Sequence, residues 1–379
     1  MQNRNGWLPG IQYFRAIAII QVVTFHVVGV GALAPNPLWI TVVLRAFTSF
    51  CVPLFIFISG VVLFNKYNDG FSLSTFYKKR LSSVVPPYLV WSSFYFVVIY
   101  VVPTVYTYVF HRPTVLEPNQ SIMTLGRTYL VQLAVGYQHL WFVVILIQLY
   151  LLYPLLEKMY NRTVRQSSPI YILSFLLLAQ IGYASLQIAF PASYLGELFL
   201  RFVFYFVFGF FIAQHYEAMK QRVAKVSSKS ISLVVLASTI YYAVVYYYAV
   251  LSSPAPAYYT WLYVVTGPFY CIFLILFYLR ISTKWGEPDG FFLRSLEKIG
   301  EDSFGIFLVH WFFVGAFTLV LFMLGLSAYN LILYPVLFLL TIVSSYLVVE
   351  IIYRLPFSNV VIGKRRKKQA SITQNSLKI

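Results

Sequence analysis

Residues 14–26 read FRAIAIIQVVTFH, and of the ten residues between Arg15 and His26 only Gln21 and Thr24 are not apolar. The stretch lies within an apolar run from 11 to 33, longer than the roughly 20 residues a helix needs to cross a bilayer. The run is too long for the h-region of a signal peptide and has no small-x-small cleavage site, so this first span is expected to stay in the protein. The composition extends the reading to the whole chain. Of its 379 residues 60% are hydrophobic and only 10% charged, far from the balance of a water-soluble domain. Such a chain is expected to be an all-α, polytopic membrane protein with about ten transmembrane helices.

Candidate spans fall at 11–33, 39–64, 86–110, 139–157, 170–190, 196–215, 231–251, 258–280, 303–325 and 331–353. Pro86 and Pro87 are read as opening the third, where a missing N–H costs least. The long connection 111–138 contains MTLGRTYLVQLAVGY, which suits a short helix along the interface. Positive charge orients the set, because cytoplasmic loops retain Lys and Arg. With the N-terminus inside, 23 of the 28 Lys and Arg fall on the cytoplasmic side, only Arg112 and Arg127 lie outside, and Arg15, Arg45 and Arg201 fall within spans. Both termini are then cytoplasmic. The net charge of +17 is explained by this bias rather than by a nucleic-acid partner. Residues 1–363 read as one membrane domain and 364–379 as a basic cytoplasmic tail, its GKRRKK run at 363–368 suited to anionic lipid. Cys51 and Cys271 sit apart in apolar stretches, so neither a disulfide nor a metal site is indicated.

Ionisable groups within spans are costly and usually functional. Some have ordinary explanations: Arg45 can snorkel to the outer interface, while Arg201 with Glu197 and Glu350 with Arg354 have the spacing of helical ion pairs. Arg15 and His26 are different. Eleven residues at about 100° each make three turns plus about 20°, so the two side chains share one helix face roughly 16 Å apart along the axis. Ala18 and Val22 lie between them on a narrow strip. The pattern suits a path for a long anionic ligand, held at its charged end by Arg15 and presenting its reactive end to an imidazole that can accept a proton.

A basic residue, ten others and then His is also how the first span of the acyltransferase-3 family begins, and further stretches match that family in order. They are CVPLFIFISGVVLF at 51–64, FYKKRLSSVVPPYL at 76–89, HLWFVVILIQLYLLYPLL at 139–156 and SFGIFLVHWFF at 303–313. The chain thus resembles this family over nearly its whole length. It departs from the pattern at Ala16, where the family commonly has Gly. It also ends shortly after the tenth span, and so resembles members without an extracytoplasmic esterase-like domain. If one is needed, a separate protein would supply it.

The resemblance implies a multi-pass enzyme of the cytoplasmic membrane that moves an acyl group, usually acetyl, from cytoplasmic acyl-CoA to a hydroxyl of an envelope glycan. No resident cofactor is implied, since acyl-CoA is the donor substrate. Lys78, Lys79 and Arg80 would join Arg15 in binding the donor phosphates. His26 would be the base, acting directly or through an acyl intermediate. His139 and Trp141 would contact the acceptor sugar at the outer interface, and His310, following Ser303 in the ninth span, is a further polar intruder. Ser59 and Gly60 suit close helix approach. A saccharide exporter or flippase is the rival reading, because polar residues in spans also mark transport paths. Corresponding broken spans in two related halves, which that class favours, are not evident. A structural or sensor subunit would leave Arg15 and His26 without a role.

Overall fold

The computed structural model describes residues 10–32, 37–68, 70–103, 122–190, 198–252, 254–283, 290–326 and 331–364, and among these there is no strand. The first half comprises α1 (Ile11–Ala32), α2 (Trp39–Thr48), α3 (Cys51–Tyr67), α4 (Leu73–Phe96), α5 (Ile122–Val135), α6 (Trp141–Gln166) and α7 (Pro169–Ala189). The second comprises α8 (Val203–Gln214), α9 (Tyr216–Ala224), α10 (Ser228–Tyr246), α11 (Ala257–Ser282), α12 (Phe291–Glu301), α13 (Ser303–Met323), α14 (Leu333–Tyr353) and α15 (Ser358–Ile362). Among the described residues nine segments are long and apolar enough to cross a membrane, and α8 is a shorter apolar helix. Successive segments alternate in direction. Gln12, Arg80, Lys298 and Lys364 therefore gather at one end of the bundle, and Arg45, Tyr246 and Thr260 at the other.

Small residues let the helices meet closely, as membrane packing favours. A Cβ added at Gly60 on α3 would overlap the carbonyl of Phe206 on α8, and one at Gly209 would lie 2.5 Å from the Phe57 carbonyl oxygen. The two backbones therefore touch, and Phe64 stacks on Phe210 at 5.0 Å beside them. A second close approach joins α12 to the start of α1, where a Cβ at Gly300 would overlap the Gln12 carbonyl. That contact sets Lys298 and Asp302 around the same cavity as Arg15.

Three features differ from the sequence reading. The second predicted span is two helices, interrupted at Ser49 and Phe50. The sixth, expected over 196–215, contains a helix of only 12 residues, Val203–Gln214, preceded by the turn Phe199–Arg201. At 1.5 Å per residue the helix is about 18 Å long, well short of a hydrocarbon core of about 30 Å. Third, α4 begins at Leu73, so Pro86 and Pro87 lie inside it. Helix formation starts early because Phe76 is buried and ring-stacked on Tyr153 at 5.0 Å. The two prolines leave the Ser82 and Ser83 carbonyls without their helical donors. The chain end docks there. Gly363, at positive φ after α15, backs onto the Ser83 carbonyl, and Trp91 Nε1 donates to the Val361 carbonyl at 2.9 Å.

Helix α5 covers most of the segment read as interfacial, with Met123 and Leu130 exposed and the Leu133 carbonyl accepting from Tyr88 at 2.9 Å. Arg112, Glu197 as the expected partner of Arg201, and the basic tail beyond Lys364 lie outside the described residues.

Candidate functional site

Among the described residues the bundle holds an inner and an outer cavity. The inner one, about 560 Å³, opens at the end where α1, α4 and α13 begin and where α12, α14 and α15 finish. Four cations line it, Arg15, Arg80, Lys298 and Lys364, together with Glu301, Asp302 and Glu350. Two of the carboxylates engage the lysines. Lys298 Nζ is 3.2 Å from Glu350 Oε1, and Lys364 Nζ is 3.6 Å from Asp302 Oδ1 and donates to the Glu301 carbonyl at 3.3 Å. The hydrogen bond from Lys298 to Tyr346, aided by Glu350, raises the lysine pKa. Burial raises that of Asp302, opposed by the bond it accepts from the Tyr353 hydroxyl at 2.8 Å and by Lys364. Arg15 is half-buried and has no hydrogen-bond or ion-pair partner among the described residues. Arg80 lies over the Tyr67 ring at 5.0 Å, with its Nε buried and unpaired. Two guanidinium groups thus face the cavity without an ion-pair partner among the described residues, although the Glu301 carboxylate also lines it, an arrangement that an anionic ligand can complete.

The outer cavity, about 960 Å³, is lined by His26, His139 and Trp141, by Arg45, and by tyrosines of α10 and α11. No carboxylate lines it among the described residues. Its two lining histidines, His26 and His139, meet a third from a distant part of the chain, the fully buried His310. The His26 ring lies 5.2 Å from that of His310, and His139 lies 5.0 Å from His310, centroid to centroid. Trp311 closes the group, its ring 4.7 Å from His26. The Nδ1 of fully buried His310 is 2.6 Å from the Phe307 carbonyl. That carbonyl can only accept, so the proton is assigned to Nδ1, and Nε2 remains an acceptor with no partner. Both ring nitrogens of His139 are also unpaired and buried. Among the described residues no group of three His, Cys, Asp or Glu is arranged to hold a metal ion.

The residues singled out in the sequence distribute as follows. His26 and His139 line the outer cavity with Trp141 and meet His310, which is not part of its lining; Arg15 and Arg80 line the inner cavity; Lys78 and Lys79, two and one residues before Arg80 on α4, are exposed and outside its lining. Arg45 does not reach outward. Its Nε donates to the Tyr246 hydroxyl at 2.7 Å and its Nη1 to the Phe25 carbonyl at 3.4 Å, and its guanidinium lies 4.2 Å from the Phe25 ring centroid, because acceptors within the bundle are nearer than the interface. Glu350 pairs with Lys298 on α12 instead of Arg354 on its own helix. Lys298 and Lys364 were hidden in the sequence among the positive charges that orient the chain. Phe307, the one residue among those described that lines both cavities, carried no signal in so aromatic a chain. The shared face of Arg15 and His26 is therefore divided between two chambers instead of forming one open path.

The family model for the acyltransferase domain matches residues 8–350. The curated proteins and the solved structures give no match. Spanning almost the whole bundle, Arg15 and all three histidines included, the match establishes the chain as a member of the acyltransferase-3 family and hence as a membrane-embedded O-acyltransferase.

Proposed function

We propose that the protein transfers an acyl group, acetyl by preference, from acyl-CoA in the inner cavity to a hydroxyl of an envelope glycan in the outer one. The observation that carries this reading is the pair of chambers: one has unpartnered guanidinium groups, the other has aromatic walls and an imidazole cluster, and they meet at one residue. The excess of Lys and Arg at the Arg15 end supports a cytoplasmic inner cavity, and hence a multi-pass protein of the cytoplasmic membrane with both ends inside. The acceptor then arrives from the opposite face, alone or presented by a separate extracytoplasmic protein.

In the reaction Arg15 and Arg80 hold the donor phosphates, and Lys298 and Lys364 are near enough to exchange their carboxylates for phosphate oxygens. His26 accepts the proton of the sugar hydroxyl as its oxygen attacks the thioester carbonyl. The C–S bond breaks, the C–O bond forms, and the proton passes from the imidazolium to the departing thiolate, leaving an ester and coenzyme A. His310, with its Nδ1–H held by the Phe307 carbonyl, keeps an unpartnered Nε2 acceptor beside the His26 ring, available to the imidazolium N–H that forms when His26 takes the proton. His139 and Trp141 border the acceptor.

Mass spectrometry of envelope glycans from cells with and without the protein tests the assignment. An acyl mass difference that His26→Ala abolishes is expected, because loss of a general base costs about 10² to 10⁴ in rate. Loss of the glycan itself from the surface, with no change in acylation of what remains, would mark an exporter and refute the proposal.

A further inference from the structure

Among the described residues Phe307 alone borders both chambers. Its side chain is 3% exposed and is held from several sides: the ring meets Phe142 at 5.2 Å and His139 at 5.1 Å in edge-to-face contacts. Phe142 in turn leans on Phe55 at 5.9 Å, and both of these rings line the inner cavity only. The backbone of Phe307 is fixed as well, because its carbonyl accepts the His310 Nδ1–H. Two residues earlier, Gly305 brings α13 so close to α14 that an added Cβ would lie 2.9 Å from a Val349 methyl, so the helix cannot easily retreat. The three phenylalanines thus form a collar across the inner end of the path.

We infer that Phe307 is the residue that sets the size of acyl group the enzyme accepts. The inference rests on the proposed donor and acceptor chambers. A donor anchored at Arg15 and Arg80 lies in the inner cavity, whereas His26 lines only the outer one, so the thioester can meet the imidazole only where the two chambers adjoin, against the Phe307 ring. Aromatic edge-to-face packing and a close-packed interior keep that ring in place. A short acyl group fits beside it, and each further methylene must displace it. In a tight apolar site one methylene changes discrimination by about 10- to 200-fold.

The test uses the full-length protein in nanodiscs and three non-hydrolysable thioethers, S-ethyl-, S-butyl- and S-octyl-coenzyme A, with coenzyme A as reference, binding being measured by titration calorimetry. The unmodified protein is expected to bind the S-ethyl compound about as well as coenzyme A and to lose at least tenfold in affinity at S-butyl. Phe307→Ala should keep the affinity for coenzyme A and restore S-butyl binding by tenfold or more. Phe307→Leu, which keeps a buried apolar side chain if Ala does not fold, should lie between them. Phe94→Ala, at an exposed ring, should match the unmodified protein. An identical dependence on chain length in the unmodified protein, Phe307→Ala and Phe307→Leu would overturn the role of Phe307 while leaving the donor chamber intact. Failure of the unmodified protein to bind coenzyme A at all would overturn the chamber assignment, and this inference with it.

Discussion

Replacing Arg15 by Ala should weaken donor binding without weakening the fold, and the two effects have separate origins in the structure. Arg15 has no ion-pair or hydrogen-bond partner among the described residues, so its removal orphans no carboxylate. It also takes an unpaired cation out of a half-buried position, which relieves a desolvation cost. The unfolding temperature without ligand should therefore stay the same or rise. Donor affinity should fall, because a hydrogen bond to a charged group contributes about 1.5–3 kcal/mol and each 1.4 kcal/mol is about tenfold. A dissociation constant for coenzyme A about 10- to 150-fold larger is expected if one such interaction is lost. Arg15→Lys keeps the charge but not the planar fork and should fall between. The assay is calorimetric titration of purified variants with coenzyme A, alongside thermal unfolding without it. A variant that melts earlier and binds coenzyme A unchanged would show that Arg15 serves the fold, and the donor assignment would be lost.

The same titration separates the basic cluster of α4. Arg80→Ala should weaken coenzyme A binding, whereas Lys78→Ala with Lys79→Ala should leave it within about twofold, since solvent screens exposed charges. Asp302 gives the inner cavity a pH response. Burial raises its pKa, so its contribution to stability is full at low pH and is lost as pH rises through the folded value. As pH falls from 7 towards the carboxylate range the cavity loses a negative charge and coenzyme A should bind more tightly; Asp302→Asn should bind tightly already at pH 7 and flatten that part of the profile. At the α3–α8 contact, Gly60→Ala forces a Cβ into the Phe206 carbonyl. Overpacking of this kind costs about 1–3 kcal/mol, and because the obstacle is backbone the upper end is expected, read as a lower unfolding temperature. An unchanged melt would mean that the helices separate at little cost.

The membrane class, most of the spans and the facing pair Arg15 and His26 were legible because each depends on local hydrophobicity or helical period. The break at Ser49 and the short α8 were not. Both arise from how segments pack, and an apolar run looks the same whether it is one helix or two. The triple basic cluster was visible as charge, but only the fold distinguishes Arg80, turned into the cavity, from Lys78 and Lys79 beside it. The imidazole cluster shows the same limit: residues 26, 139 and 310 each stood out as polar in apolar surroundings, yet nothing in a linear chain says that they meet.

The docking of α15 against α4 also bears on the order in which the protein is made. Ile362, Gly363 and Lys364 line the inner cavity, and they leave the ribosome after the membrane segments described above. Until that short helix settles beside the carbonyls freed by Pro86 and Pro87, the cavity lacks part of its wall. A nascent chain with these helices inserted therefore remains unable to enclose the proposed donor, and the inner cavity is complete only once synthesis has passed Lys364.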